Sequence, residues 1–266
     1  MNRILAFVRR DALVAASYRT GMVLSLGSLL TLVVPLYFIA TALQPVIGHS
    51  IQAEGGAYFA FVIIGMASYQ FVATAVGAIP MALGTGIRTG TFEALLVTPT
   101  RLPLLLIGVM GYPFLWTVAR GLVLLVAGQI LGAQFSLDRI LVAVLIWGGI
   151  TIAYVPFGIL AGALVLLART AGPLPNAVLL ASMFLGGVYY PTHVIPSWLH
   201  TLSAALPLTY GLRALRKVLS TETPVANVAA DLGMLLLLAC GLLLASMLVF
   251  HYALRQAYRA GSLAQY

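Results

Sequence analysis

AYFAFVIIGMASYQFVATAVGAIPMAL, residues 57–83, carries the reading of the fold. Its 27 residues include no Asp, Glu, Lys, Arg or His. A helix rises about 1.5 Å per residue, so about 20 such residues cross the roughly 30 Å of hydrocarbon in a bilayer. A membrane-spanning strand would alternate in polarity instead, and this run is apolar throughout. Five more runs read the same way, at 21–43, 102–131, 140–167, 174–190 and 232–254. The expectation is an all-α integral membrane protein with six transmembrane helices, forming one domain over residues 1–266.

Composition agrees. Of the 266 residues, 62% are hydrophobic and 8% charged, against about 45–50% and about 25% in soluble domains. The formal charge is +8, but the basic residues sit at the edges of the apolar runs. That placement suits lipid headgroups and topology signals rather than nucleic acid. With the N-terminus in the cytoplasm, nine basic residues flank the inner ends (Arg3, Arg9, Arg10, Arg19, Arg88, Arg101, Arg169, Arg255, Arg259). Four flank the outer ends (Arg139, Arg213, Arg216, Lys217). Both termini are therefore expected in the cytoplasm, with residues 255–266 as a short polar tail. The opening MNRILAFVRRDALVAASYR lacks a short apolar core before a small-residue cleavage site, so no cleaved signal is expected. At 100° per residue Ile4, Phe7, Val8, Ala15 and Tyr18 share a face opposite Asn2, Arg3, Arg9 and Arg10, with Asp11 breaking the pattern. Residues 1–19 read as an interfacial helix on the cytoplasmic leaflet, or more plainly as a basic topology-setting flank.

Chemistry is sparse. No G-x-x-x-x-G-K-[ST] occurs, and the single lysine, Lys217, has no glycine at the required spacing, so the chain cannot cradle nucleotide phosphates in a P-loop. H-E-x-x-H and G-x-S-x-G are absent, the four histidines lack metal-ligand spacing, and one cysteine, Cys240, excludes an internal disulfide. The chain reads as a protein without an enzymatic site, cofactor or metal of its own. Arg120 is the one ionisable residue well inside a run, either a pathway or ion-pair residue or one that snorkels to the interface. Gly158 and Gly162 form a G-x-x-x-G suited to close helix packing.

Two connecting stretches say more. Residues 84–101, GTGIRTGTFEALLVTPTR, break a helix at Gly84, Gly86 and Gly90 and allow a new one capped at Gly90 or Thr91. Glu93 would lie in its first turn, where a carboxylate suits the helix dipole, and Thr98-Pro99 would end it. Phe92, Leu95 and Leu96 form an apolar face beside Glu93, Arg88 and Arg101, so this helix reads as a docking element or as a connector lying on the membrane. Farther on, Pro191, Pro196 and Pro207 divide 190–219 into short pieces, and Tyr189, Tyr190, Trp198 and Tyr210 suit the headgroup level. A re-entrant hairpin or an interfacial loop fits.

GTFEALLVTP resembles the G-T-x-E-x-L-x-x-[ST]-P motif of the ABC-2 type permeases, the membrane subunits of type V ABC exporters. GGVYYPTHVIPSWL followed by LPLTYGLRALR resembles that family's segment after the fifth span. The family usually carries Asn where this chain has Leu206, which removes a capping side chain. The resemblance implies a dimer of six-span subunits, a homodimer here, above two P-loop ATPase subunits that hold ATP and Mg²⁺. It makes 90–99 a coupling helix that touches the ATPase through Glu93, with Arg88, Gly90, Thr91, Phe92, Leu96, Pro99 and Arg101 around it. It makes Tyr189, Tyr190, Pro191, Pro196, Trp198, Pro207 and Tyr210 part of an outer re-entrant gate. The expected function is export of an apolar or amphipathic substrate, such as a lipid, glycolipid or drug-like molecule, across a prokaryotic cytoplasmic membrane. An ion-gradient-driven transporter and a lipid-modifying membrane enzyme are the rival readings.

Overall fold

The computed structural model describes residues 9–14, 17, 19–90, 102–168, 170–220 and 228–259. Among these the fold is all-α. The long helices are α1 (Arg19–Ile47), α2 (Tyr58–Arg88), α3 (Leu102–Ile130), α4 (Ile140–Ala168) and α8 (Ala229–Arg259). Three shorter ones, α5 (Leu174–Leu185), α6 (Ser197–Ala204) and α7 (Pro207–Leu219), lie between α4 and α8. Five helices among the described residues are long and apolar enough to cross a membrane. Residues 9–14 and 17 are helical, with Asp11 paired to Arg10 at 2.8 Å; of the expected interfacial helix 1–19, residues 1–8, 15, 16 and 18 lie outside the described residues.

The expected fifth span, 174–190, takes a different form. Its helix stops at Leu185, and 12 residues cover only about 18 Å. Gly186 and Gly187 follow, and Gly187 sits at φ +83°, a conformation that suits glycine. The backbone there must also stay bare, because a Cβ at Gly186 would meet the Ser182 carbonyl and Leu208.

α2 and α4 form the centre. α4 packs on α2 and α8, α3 packs on α2, and α1 lies across α2 and α3. Lipid tails are as apolar as leucine, so close backbone approach and polar pairs must choose the partners. The Thr74 and Thr117 hydroxyls meet at 2.7 Å between α2 and α3. The Trp147 indole N–H of α4 donates to Ser68 Oγ of α2 at 3.2 Å, and its ring stacks on Phe71 at 4.7 Å. The Gly158/Gly162 pair packs α4 onto α2 within the chain: a Cβ at Gly158 would strike the Ala75 carbonyl, and one at Gly162 would press on Ile79 and Leu83.

Helix direction alternates along the chain. Ile47, Tyr58, Ile130, Ile140 and Ala229 therefore share one end of the bundle with Glu54. Arg19, Arg88, Leu102, Ala168 and Leu174 share the other. We name these the Glu54 end and the Arg88 end.

Candidate functional site: an apolar groove and a re-entrant hairpin

α5 enters from the Arg88 end and stops part-way. Ser182 lies beside Tyr154 of α4, their hydroxyls 2.9 Å apart, about 21 Å along α4 from Ile140. α6 then runs inward from the Glu54 end. Ser203 near its tip donates to the Leu185 carbonyl at 2.7 Å. α7 returns: its first turn packs Leu208 against Gly186, Gly211 lies on Ile150 of α4, and Leu219 accepts from the Ser136 N–H at 2.9 Å at the Glu54 end. α6 and α7 are thus a hairpin that dips into the bundle and meets the tip of α5. Irregular backbone at such depth is tolerated when protein covers it; Gly186, Gly187 and Val188 are buried. Pro207 supplies the first turn of α7, and Leu206 at the N-cap makes no side-chain cap bond. Instead the Thr209 hydroxyl donates to the Ser203 carbonyl at 2.8 Å.

One cation fastens this hairpin. The Arg216 side chain is 4% exposed. It donates to the carbonyls of Phe61 (3.2 Å), Gly187 (2.8 Å) and Val188 (3.4 Å), and to Glu54 Oε2 at 3.3 Å. Its guanidinium also lies 3.3 Å over the Phe61 ring. The Glu54 carboxylate supplies the opposing charge to this buried guanidinium. The cluster joins four elements: the Gly48–Glu54 turn, α2, the 186–190 loop and α7. Nearby, Asp231 of α8 binds Lys217 at 2.7 Å and Arg213 at 3.4 Å. Gln44 closes the same end, donating to the Gly56 carbonyl and accepting from the Tyr58 N–H, each at 2.7 Å.

Between α3, α4 and α8 lies a groove of about 580 Å³. α3 and α8 pack on opposite flanks of the α2–α4 centre and scarcely bridge it, which leaves α4 as the floor. Met110, Phe114, Ile152, Val155, Leu243 and Met247 line it. The lining hydroxyl of Thr151 is occupied by the Trp147 carbonyl at 2.9 Å. The α4 residues from Gly148 to Ile159 put the groove about 12–28 Å along a helix about 43 Å long, in the middle of the apolar layer. Such a surface offers dispersion and no directional bond. It suits acyl chains or ring systems and has no means of holding an ion.

The sequence-predicted residues fall as follows. Arg88 ends α2, exposed, with Nε donating to the Gly84 carbonyl at 3.2 Å. Gly90 is exposed at φ +67°, just past the end of α2, whereas Gly84 and Gly86, also expected to break the helix, lie inside it. Thr91, Phe92, Glu93, Leu96, Pro99 and Arg101 lie outside the described residues. Tyr189, Tyr190, Pro191, Pro196, Trp198, Pro207 and Tyr210 all lie in or beside the hairpin, so they are brought together. Pro191 and Pro207 are buried and Trp198 is 73% exposed. The Tyr189 carbonyl accepts from the Tyr58 hydroxyl at 3.1 Å, and the Tyr210 hydroxyl donates to Ala204 at 2.9 Å. Arg120 stands apart on α3. It forms no ion pair among the described residues, and its buried Nε has no hydrogen-bond partner there.

Sequence reasoning missed Arg216, Glu54, Asp231 and the groove. A signal for Arg216 existed. At 100° per residue it sits at the edge of the stripe of Leu208, Leu212, Leu215 and Leu219, while Lys217 falls opposite that stripe. Arg213, Arg216 and Lys217, counted at the outer ends, are paired with Asp231 and Glu54.

The ABC-2 type transporter family model matches residues 2–220. No curated protein matches the chain. The match spans α1 to α7 and takes in both quoted motifs, and no ATP-cradling loop accompanies them. The chain belongs to the ABC-2 type transporter family: it is a multi-pass permease of an ABC-type transporter, without an ATPase site of its own and partnered by an ATP-binding subunit.

Proposed function

We propose that this permease exports an apolar or amphipathic molecule, a lipid, glycolipid or drug-like compound, driven by ATP hydrolysis on its partner. The observation that carries this reading is the mid-depth groove between α3, α4 and α8, whose lining residues include no charged side chain. The working unit is a homodimer above two ATPase subunits, which hold ATP and Mg²⁺. It sits in a prokaryotic cytoplasmic membrane with both termini in the cytoplasm and the Arg88 end facing the ATPase. Residues 90–99 carry the coupling contact with the ATPase, made through Glu93. ATP draws the ATPase subunits together, the coupling helices follow, and the permease shifts toward a state open at the Glu54 end. The hairpin α6–α7 closes that exit at rest, held by Arg216.

Purification of the native complex with its ATPase, followed by reconstitution with a tail-labelled lipid, tests the reading. Co-purification that Glu93→Arg abolishes, together with ATP-dependent lipid movement slowed by Phe114→Ser or Val155→Ser, supports it. Lipid movement driven by a proton or sodium gradient without ATPase would overturn the energy source. Groove substitutions without effect on any apolar cargo would overturn the substrate class.

A further inference from the structure

A second pocket, of about 290 Å³, lies in the hairpin segment, between residues 192–204 and the first turns of α7. Thr192, His193 and His200 line one side, and Thr209, Tyr210 and Arg213 the other. No carboxylate is among its lining residues. Arg213 reaches Asp231 only at 3.4 Å, while Lys217 holds the same carboxylate at 2.7 Å. One carboxylate between two cations leaves this cluster net positive. Arg213 therefore keeps charge and N–H donors to offer, its side chain 47% exposed. Two imidazoles add N–H donors.

The outer face of the same segment is apolar. Trp198 and Leu202 lie one turn apart on α6, Val194 sits in the short turn before it, and each is more than half exposed. On α6, His200, Ser203 and Ala204 point the opposite way, into the pocket. This segment therefore presents an indole and aliphatic chains on one side and a cationic cavity on the other. Arg213 lies six residues from Leu219, about 9 Å below the Glu54 end of α7. With the helix ends at the surface of a bilayer about 40–45 Å thick and about 30 Å of it hydrocarbon, that is close to the boundary between headgroups and acyl chains, where indoles concentrate.

We propose that this pocket binds the phosphate of an anionic glycerophospholipid, with Arg213, His193 and His200 as donors and Val194, Trp198 and Leu202 seated among its neighbours' acyl chains. The site is separate from the mid-depth groove and requires neither ATP nor a direction of transport.

The test uses the full-length permease in phosphatidylcholine nanodiscs. Tail-fluorescent phosphatidylglycerol is compared with tail-fluorescent phosphatidylcholine, by energy transfer from a donor fixed near the Glu54 end. The wild type prefers phosphatidylglycerol. R213Q/H200A lowers that preference about tenfold, the scale of one charge-assisted hydrogen bond, while R139Q at the same end leaves it unchanged. An unaltered preference in R213Q/H200A, or an equal loss in R139Q, overturns the site. Displacement of the labelled lipid by millimolar inorganic phosphate assigns the pocket to a free anion and overturns the lipid. W198S/L202S weakens retention of both lipids. If that variant instead dissociates a permease dimer in detergent, the apolar stripe belongs to a second copy and the proposal fails. Thermal unfolding of each variant confirms that it folds.

Discussion

α1 and α2 are both long, apolar helices, and the one whose most apolar stretch is the less apolar of the two lies inside. The best 18-residue stretch of α1 has mean hydropathy 2.2 with 11% of its residues buried in the bundle; for α2 the values are 1.8 and 72%. In water the greasier helix would be sequestered. In a bilayer hydropathy decides only that both are in the membrane. Place within the bundle follows from what α2 carries and α1 lacks. α2 has Gly65 under the Val188 carbonyl, Ala75 under Gly158, Ser68 on Trp147, Thr74 on Thr117, and Phe61 under Arg216. In α1 a Cβ added to Gly21 or Gly27 would meet nothing within 4 Å.

That contrast can be broken by substitution. The largest effect is expected from Arg216→Met, which strands the Glu54 carboxylate and the carbonyls of Phe61 and Gly187. Breaking one side of such a buried cluster costs roughly 3–5 kcal/mol, read as a lower midpoint of thermal unfolding in detergent. Adding Glu54→Gln should restore part of it. If the double variant is no better than the single, the cost lies in packing over Phe61 rather than in stranded charge.

Gly158→Leu comes next. It drives a side chain into the Ala75 backbone and should cost about 1–3 kcal/mol. Gly27→Leu on α1 is its control and should cost almost nothing in the isolated chain. An equal loss at Gly27 would show that α1 is covered by another polypeptide.

Ser68→Ala removes the acceptor of the Trp147 indole and should cost about 1 kcal/mol, with a shift in tryptophan emission as the independent readout. Leu24→Ala, at an α1 side chain 72% exposed, should stay within about 0.5 kcal/mol. A larger change there would mean that α1 has a protein neighbour.

Composition and the long uncharged runs determined that the chain is a helical membrane protein, and its residues include no G-x-x-x-x-G-K-[ST] phosphate loop. Motif order pointed to the family. These are one-body properties: each residue is weighed against lipid or water, or matched to a pattern along the chain. The tertiary structure decided what depends on pairs. It stopped the expected fifth span at Leu185 and completed that layer with a hairpin from the opposite end. It gave the Gly158/Gly162 motif a partner in α2. It turned Arg216, read as an outer basic flank, into a buried clamp on a glutamate 162 positions away. It also opened a groove where α3 and α8 fail to meet. No local pattern encodes which distant helix will lie opposite, because lipid solvates every apolar face almost equally and a few backbone contacts and ion pairs make the choice.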